Sequence, residues 1–247
     1  MPELHVQVAV AKVTQYASGE SGDSIEMIER PHGGLSMVMV DGQRSGRAAK
    51  SISNIVVRKA ISLLGDGVRD GAVARAAHDY LRTMRGGQVS ATLNIVSVDM
   101  DTETLVISRN SHCPTIVVRR GELLLLDQPS EAVGIHARTK PIVTEMPLAS
   151  DTYVIAFTDG ALHAGSRSGT KMDVVALVRA LVQQAGTSAQ TLADAILDQA
   201  IRRDQGRPGD DISVLVVTIL ARQSDKDEAR RMTVDFPIRV QGAIPGG

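Results

Sequence analysis

Four short acidic stretches carry the side chains best suited to chemistry: Ser21-Gly22-Asp23-Ser24, Val40-Asp41-Gly42, Thr158-Asp159-Gly160 and Gly209-Asp210-Asp211-Ile212. Each abuts an apolar run. Asp41 and Asp159 follow the ends of such runs (residues 35–40 and 152–158), whereas Asp23 and Asp210 precede the starts of others. In antiparallel neighbours one strand's end lies beside the next one's start, so all four carboxylates can gather at one pole. Their mutual repulsion there calls for a multivalent cation. Carboxylates without a Cys/His cluster select hard, oxygen-seeking ions, Mg²⁺ or Mn²⁺, and exclude structural zinc. Gly42 has no Cβ, which lets its carbonyl turn toward an ion that Asp41 already binds. Taken singly, each of these Asp-Gly or Gly-Asp pairs reads first as a plain turn. Turn chemistry does not explain their shared placement at one end of the strands.

The elements that must position these residues follow from hydrophobic period. Residues 4–13 alternate and are β-branched, and residues 25–30 and 35–40 form two short runs around Pro31-His32-Gly33-Gly34, a hairpin pattern. Over residues 48–64 the period changes to 3.6, with Ile52, Ile55, Val56, Ala60 and Leu63 on one stripe that ends at Gly65. Residues 72–85 read as a second helix closed by Gly86-Gly87. Segments 92–98, 104–108, 115–119 and 122–127 then suggest an antiparallel meander, continued by 142–146 and 152–158. Residues 174–184 and 189–203 read as helices, the latter capped by Thr187 or Ser188, and 212–220 as a last core strand. Runs of strands between pairs of helices predict an α+β fold of antiparallel sheets covered by helices. The expected domain spans residues 1–221. Residues 222–247 are expected to form a charged linker, an edge strand over 233–240 and a loose tail.

Composition narrows the function. Of 247 residues 43% are hydrophobic, and 27 Lys+Arg against 28 Asp+Glu give a formal net charge of −1. Three tyrosines, two phenylalanines and no tryptophan leave little with which to stack bases, and no basic excess is available for phosphodiesters. Nucleic acid is therefore not an expected partner. The single cysteine, Cys113, cannot form an internal disulfide, and no stretch of about 20 apolar residues is present to span a membrane. A soluble protein in a reducing, cytoplasmic setting fits both observations. Cys113 reads as a buried filler, because nothing places a base beside it.

The order of the four acidic motifs resembles the metal-dependent (PPM, type 2C) serine/threonine protein phosphatases, in particular their bacterial sporulation-phosphatase branch. The Gly-Asp-Ser start and the stretch Asp41-Gly42-Gln43-Arg44-Ser45-Gly46 are most similar to the stressosome feedback phosphatase within that branch. Residues 91–98, Asn110-Ser111-His112-Cys113-Pro114 and Ala132-Val133-Gly134-Ile135 resemble three further motifs of the branch. The resemblance spans residues 12–219.

What it implies is a four-layer α-β-β-α sandwich with two central antiparallel sheets and a two-ion Mn²⁺ or Mg²⁺ site at one end. Asp41 matches the carboxylate that bridges both ions, Gly42 offers its carbonyl to one, and Asp23 matches a residue that holds that same ion. Asp159 and Asp210 match ligands of the other ion; Asp211 matches a supporting position or a ligand of a third, weak ion. The implied reaction is hydrolysis of phosphoserine or phosphothreonine by a hydroxide held between the ions, with no phosphoenzyme. The implied partner is a phosphorylated bacterial signalling protein with a STAS domain.

Departures from the pattern matter too. Many relatives place a His after the bridging Asp-Gly, where this chain has Gln43-Arg44-Ser45, and the phosphate-clamping Arg of animal members is replaced by Ala17-Ser18-Gly19. Lys12 and Arg44 are the candidates to take over substrate binding, with a solvated surface charge as the plain reading of each. His112 reads as a structural hydrogen-bonding residue. Residues 163–171 read as a mobile flap or as an ordinary polar loop. A catalytically silent adaptor with the same fold is the rival reading, against which the full set of carboxylates speaks.

Overall fold

The central strands are buried on both faces because they are covered twice, by helices on one side and by the other sheet on the opposite side, whereas edge strands such as that over Ile142–Pro147 leave alternate residues exposed. A computed structural model describes residues 4–184, 187–221 and 230–235. In chain order the elements are β1 (Leu4–Val13), β2 (Asp23–Glu29), β3 (Leu35–Gly42), α1 (Gly46–Gly65), α2 (Asp70–Arg85), β4 (Ala91–Asp99), β5 (Thr104–Asn110) and β6 (Thr115–Arg119). They continue with β7 (Glu122–Leu126), β8 (Ile142–Pro147), β9 (Thr152–Phe157), α3 (Asp159–His163), α4 (Val174–Val182), α5 (Ala189–Arg203) and β10 (Ile212–Ala221).

Two antiparallel five-stranded sheets result, ordered β1-β10-β9-β6-β7 and β2-β3-β4-β5-β8. Period-two alternation assigns the faces. On β3, Val38 and Val40 pack against α1 and α2, while Met37 and Met39 face the other sheet. On β10, Ile212, Val214 and Val216 pack with α3, α4 and α5, while Leu215, Val217 and Ile219 join the core between the sheets. Three apolar layers thus separate four structural layers, the expected α-β-β-α sandwich. Among the described residues no helix is long and apolar enough to cross a membrane.

The expected meander is corrected by the sheet order. β4 and β5 pair in one sheet, β6 and β7 in the other, and the chain crosses between the sheets at the turn after Asn110. β8 returns to β5, and β9 inserts between β10 and β6. Arg109 bridges the crossing: buried on β5, it donates to the carbonyls of Leu126 and Gln128 at the end of β7. A strand buried on both faces shows no polar edge in its sequence, so its pattern does not reveal its partner.

Ser188 caps α5, its Oγ accepting the Thr191 N–H at 3.1 Å, while Thr187 Oγ1 closes α4 by donating to the Leu181 and Gln184 carbonyls. The segment 163–171 is tied down. Gly165 N donates to Asp204 Oδ1 at 2.7 Å and Arg167 Nη2 to the Gly209 carbonyl at 3.2 Å, so it is a braced loop. Residues 233–235 are not strand, and the rest of the expected edge strand and tail lies outside the described residues. Arg230 pairs with Glu29 at 3.1 Å on the surface.

Candidate metal centre

Strand register brings the first two carboxylates face to face. Asp23 opens β2 and is the cross-strand partner of Asp41 near the end of β3. Like charges directly opposite one another in a ladder repel, so this pair costs stability unless something lies between them. Asp159 follows β9 at the first turn of α3, and Asp210 and Asp211 immediately precede β10. Because β9 and β10 are antiparallel neighbours, with Phe157 opposite Val214, both acidic motifs emerge at the same end of their sheet.

The two sheets are pinned together at that end by Asp23. Its Oδ2 accepts from Ser213 Oγ at 2.6 Å and from Thr158 Oγ1 at 3.2 Å, both on the opposite sheet's ends. Thr158 Oγ1 in turn accepts the Ser213 N–H at 2.9 Å. Asp23 is 1% exposed, and its Oδ1 is buried with no hydrogen-bond partner. Other buried side-chain atoms also lack partners, His78 Nε2 and Asn94 Oδ1 among them, but Asp23 faces a second carboxylate across the ladder, and a cation is the natural complement of that pair.

The electrostatics agree. Burial, then the charges of Asp23, Asp159 and Asp210, push the Asp41 carboxyl far above the ordinary carboxylate range. Burial also raises Asp23, against the hydrogen bond from Ser213 and the nearby Lys12 charge, which favour its ionised form. Partial loss of hydration raises Asp210, with Asp159 and Asp211 adding to it. Four carboxyls from distant stretches therefore feel one another at this pole. Among the described residues no three His, Cys, Asp or Glu side chains are already set in the geometry that holds a metal ion; the pole brings the carboxylates near one another without closing them on a common point. An all-carboxylate donor set with a bare buried oxygen fits Mg²⁺ or Mn²⁺, ions that retain waters and need few protein ligands.

Asp211 is placed differently from Asp210. Its Oδ1 accepts the Gln15 main-chain N–H at 2.8 Å and its Oδ2 that of Gly22 at 2.6 Å, so both oxygens hold the loop that leads into Asp23. Asp210 is exposed at the rim, and among the described residues its side chain is bonded only to the Asp211 N–H, at 2.8 Å. Glycines in these motifs serve close packing: a Cβ at Gly42 would overlap the Ala49 carbonyl on α1, and one at Gly160 the carbonyl of Asp211.

Lys12 lies beside the cluster with its ammonium engaged, Nζ donating to the Asp23 main-chain carbonyl at 2.7 Å. Burial and the neighbouring Lys50 lower its pKa. Lys50, which the sequence pattern does not single out, donates to the same carbonyl at 2.7 Å and to Ser24 Oγ at 3.0 Å. Arg44 is exposed in the turn after Gly42, at φ +79°, a turn held by Gln43 N donating to the Ser90 carbonyl at 3.0 Å.

His112 departs from its expected structural role. Its side chain is 56% exposed, and Nε2 stands 3.9 Å from Asp159 Oδ2. Next to it Cys113 is buried, and burial followed by the Asp159 charge pushes its thiol up to about 12, which makes it inert as expected. Thr158 and Ser213 are the pole's unpredicted hydrogen-bonding residues; their only sequence signal is adjacency to the acidic motifs.

A family model of Stage II sporulation protein E (SpoIIE) matches residues 31–220. Stage II sporulation protein E of Priestia megaterium is 20% identical over 214 residues, covering 87% of this chain and 36% of that protein. The chain thus spans about a third of the length of that curated relative. Among solved structures, the PP2C phosphatase domain with a regulatory-domain fragment of SpoIIE from Bacillus subtilis superposes with a TM-score of 0.77 at 19% identity, over 90% of this chain and 65% of that one. RsbX in complex with magnesium gives 0.66 at 14% identity (89% and 100% covered). The catalytic domain of the serine/threonine phosphatase PstP with two manganese ions also gives 0.66, at 16% identity (88% and 100%). These likenesses establish the fold.

Proposed function

The chain belongs to the SpoIIE family, and from that premise we propose that it is a metal-dependent phosphatase that hydrolyses phosphoserine or phosphothreonine in a signalling protein. One observation carries the proposal: Asp23, Asp41, Asp159 and Asp210 converge at one pole from four distant stretches, and Asp23 Oδ1 there is buried without a partner.

Asp23, Asp41, the Gly42 carbonyl, Asp159 and Asp210 are the groups proposed to hold two Mn²⁺ or Mg²⁺ ions. Such ions, when bound, supply a water of lowered pKa and offset the phosphoryl charge. The chain's own contribution is positional. Ser213 and Thr158 fix one oxygen of Asp23 and leave the other buried without a hydrogen-bond partner. Asp211 holds the approach of that strand rather than an ion. Lys12, with its ammonium on the Asp23 carbonyl, supports the strand, and Arg44, exposed in the turn after Gly42, is the cation proposed for the phosphoryl group. His112, exposed with Nε2 3.9 Å from Asp159 Oδ2, is the proposed proton donor to the leaving oxygen.

The proposed partner is a phosphorylated STAS-domain protein, the class implied by the motif resemblance. Manganese-dependent hydrolysis of p-nitrophenyl phosphate, and phosphate release from a panel of phosphorylated STAS proteins, test the reading. Asp41→Ala and Asp159→Ala are expected to abolish both while the chain stays folded. Full activity in either variant overturns the site, and binding without turnover by the unaltered chain points to the silent adaptor.

A further inference from the structure

A groove of about 700 Å³ runs along the outer side of α1, with Arg47, Lys50, Arg58, Lys59 and Tyr80 in its lining and Glu20 as its only acid. Such an excess of positive charge is local, because the whole chain carries a formal −1. Arg47, Lys50 and Arg58 lie with Asn54 and Ser62 at helical spacing on one face, so three of the cations share a row in which the other two positions are neutral and polar.

The row starts at the carboxylate pole. Lys50 Nζ is 2.7 Å from the Asp23 carbonyl, and from Lys50 the groove extends to Ser62. Twelve residues at about 1.5 Å each make roughly 18 Å, the length of about five extended peptide residues. At the far end the Lys59 ammonium sits 5.6 Å from the centroid of the Tyr80 ring. Arg47 and Arg58 form no ion pair among the described residues, and both are exposed.

We propose that this groove docks an acidic segment of the substrate protein, next in sequence to the phosphorylated residue that enters the pole. The proposal rests on the phosphatase reading and adds a sequence preference to it. Charge complementarity selects the occupant: free guanidinium groups pair bidentately with carboxylates, and complementary charge speeds encounter as well as fixing register. A nucleic acid is a poorer fit, since one aromatic ring and a short row offer little stacking or phosphodiester contact. Glu20 at the pole end disfavours acid immediately beside the phosphoresidue, which places the preferred carboxylates a few residues away.

The test uses the full chain and fluorescently labelled, unphosphorylated serine peptides, so that binding is read without turnover. One peptide carries a run of glutamates beside the serine, a second glutamines and a third lysines. Anisotropy at low salt is expected to show the glutamate peptide bound about tenfold more tightly than the glutamine one, the scale of a few exposed ion pairs, with the difference fading as salt rises. In Arg47→Glu/Arg58→Glu the preference should reverse toward the lysine peptide. Equal binding of the glutamate and glutamine peptides, an unaltered preference in the double variant, or tighter binding of labelled single-stranded DNA each overturns the proposal. Hydrolysis of p-nitrophenyl phosphate is followed in parallel and should be the same in the double variant. If the unaltered chain fails to hydrolyse it, the phosphatase reading falls on its own while the peptide result still decides the groove.

Discussion

Asp210 and Asp211 are adjacent, identical and differently employed. Asp211 is buried with both oxygens on main-chain N–H groups of the loop at residues 15–22, whereas Asp210 faces outward. Replacing Asp211 with Ala strands two donors, one of them buried at Gly22, and is expected to cost about 3 kcal/mol in urea unfolding. Asp210→Ala should cost less than about 1 kcal/mol and yet remove metal-dependent hydrolysis, since it gives up a single hydrogen bond. Equal stabilities for the two variants would show that Asp211 does not clamp the loop. The Asp-Asp pair was legible in the sequence as an acidic site. Its division of labour was not, because Gln15 and Gly22 approach it only through the tertiary fold. The same reasoning covers pH. Asp41 and Asp23 are raised in the folded chain, so between the ordinary carboxylate range near pH 4 and neutrality the folded state binds more protons than the unfolded state. Stability without metal must then fall as pH rises through that window. Chemical unfolding in EDTA should give a lower free energy at pH 8 than at pH 5, and Asp41→Asn should flatten the slope. A metal-free chain that becomes more stable toward pH 8 would contradict the shared burial of the pair.

Individual elements were readable because their periods are strong. β1 and α1 stand close to where alternation and the 3.6 stripe place them, and the Gly86 stop of α2 is a left-handed cap at φ +61°. Pairing was not readable. β5 and β6 are buried on both faces and consecutive, yet they enter different sheets, with Arg109 bridging the crossing and the core between the sheets filling the gap, none of which shows in the local pattern. Gly42 shows how an element-scale constraint hides in a motif. In the sequence its missing Cβ suggests freedom for the carbonyl, whereas the structure uses that space to bring the Ala49 carbonyl of α1 onto β3. Gly42→Ala therefore has to push the helix off the strand, and overpacking of this kind costs about 1–3 kcal/mol. The variant should unfold at correspondingly lower urea concentration. Unchanged stability would mean that α1 yields freely and that the glycine serves the carbonyl alone.

At the scale of the molecule, the pole exists because two independently paired sheets end at the same place. Sheet-to-sheet burial through Met37, Met39, Leu215 and Val217 holds them together, and the bonds from Ser213 and Thr158 to Asp23 fix their ends in register. Folding therefore assembles a set of mutually repelling carboxylates that the unfolded chain keeps apart, and it does so at the expense of stability. A divalent ion that binds only this assembled state returns stability by mass action, about 2.7 kcal/mol at a hundredfold excess over its Kd. For a chain of 247 residues that corresponds to a rise in Tm of roughly 5–10 °C. The rise should grow from pH 5 to pH 8, because protons compete with the ion for the raised carboxyls. Asp41→Asn should lose most of it, while the Arg47→Glu/Arg58→Glu variant on the outer side of α1 should keep it. A thermal melt in millimolar Mn²⁺ that matches the melt in EDTA at pH 8 would mean that the convergent carboxylates hold no ion, and the proposed chemistry would have no centre from which to act.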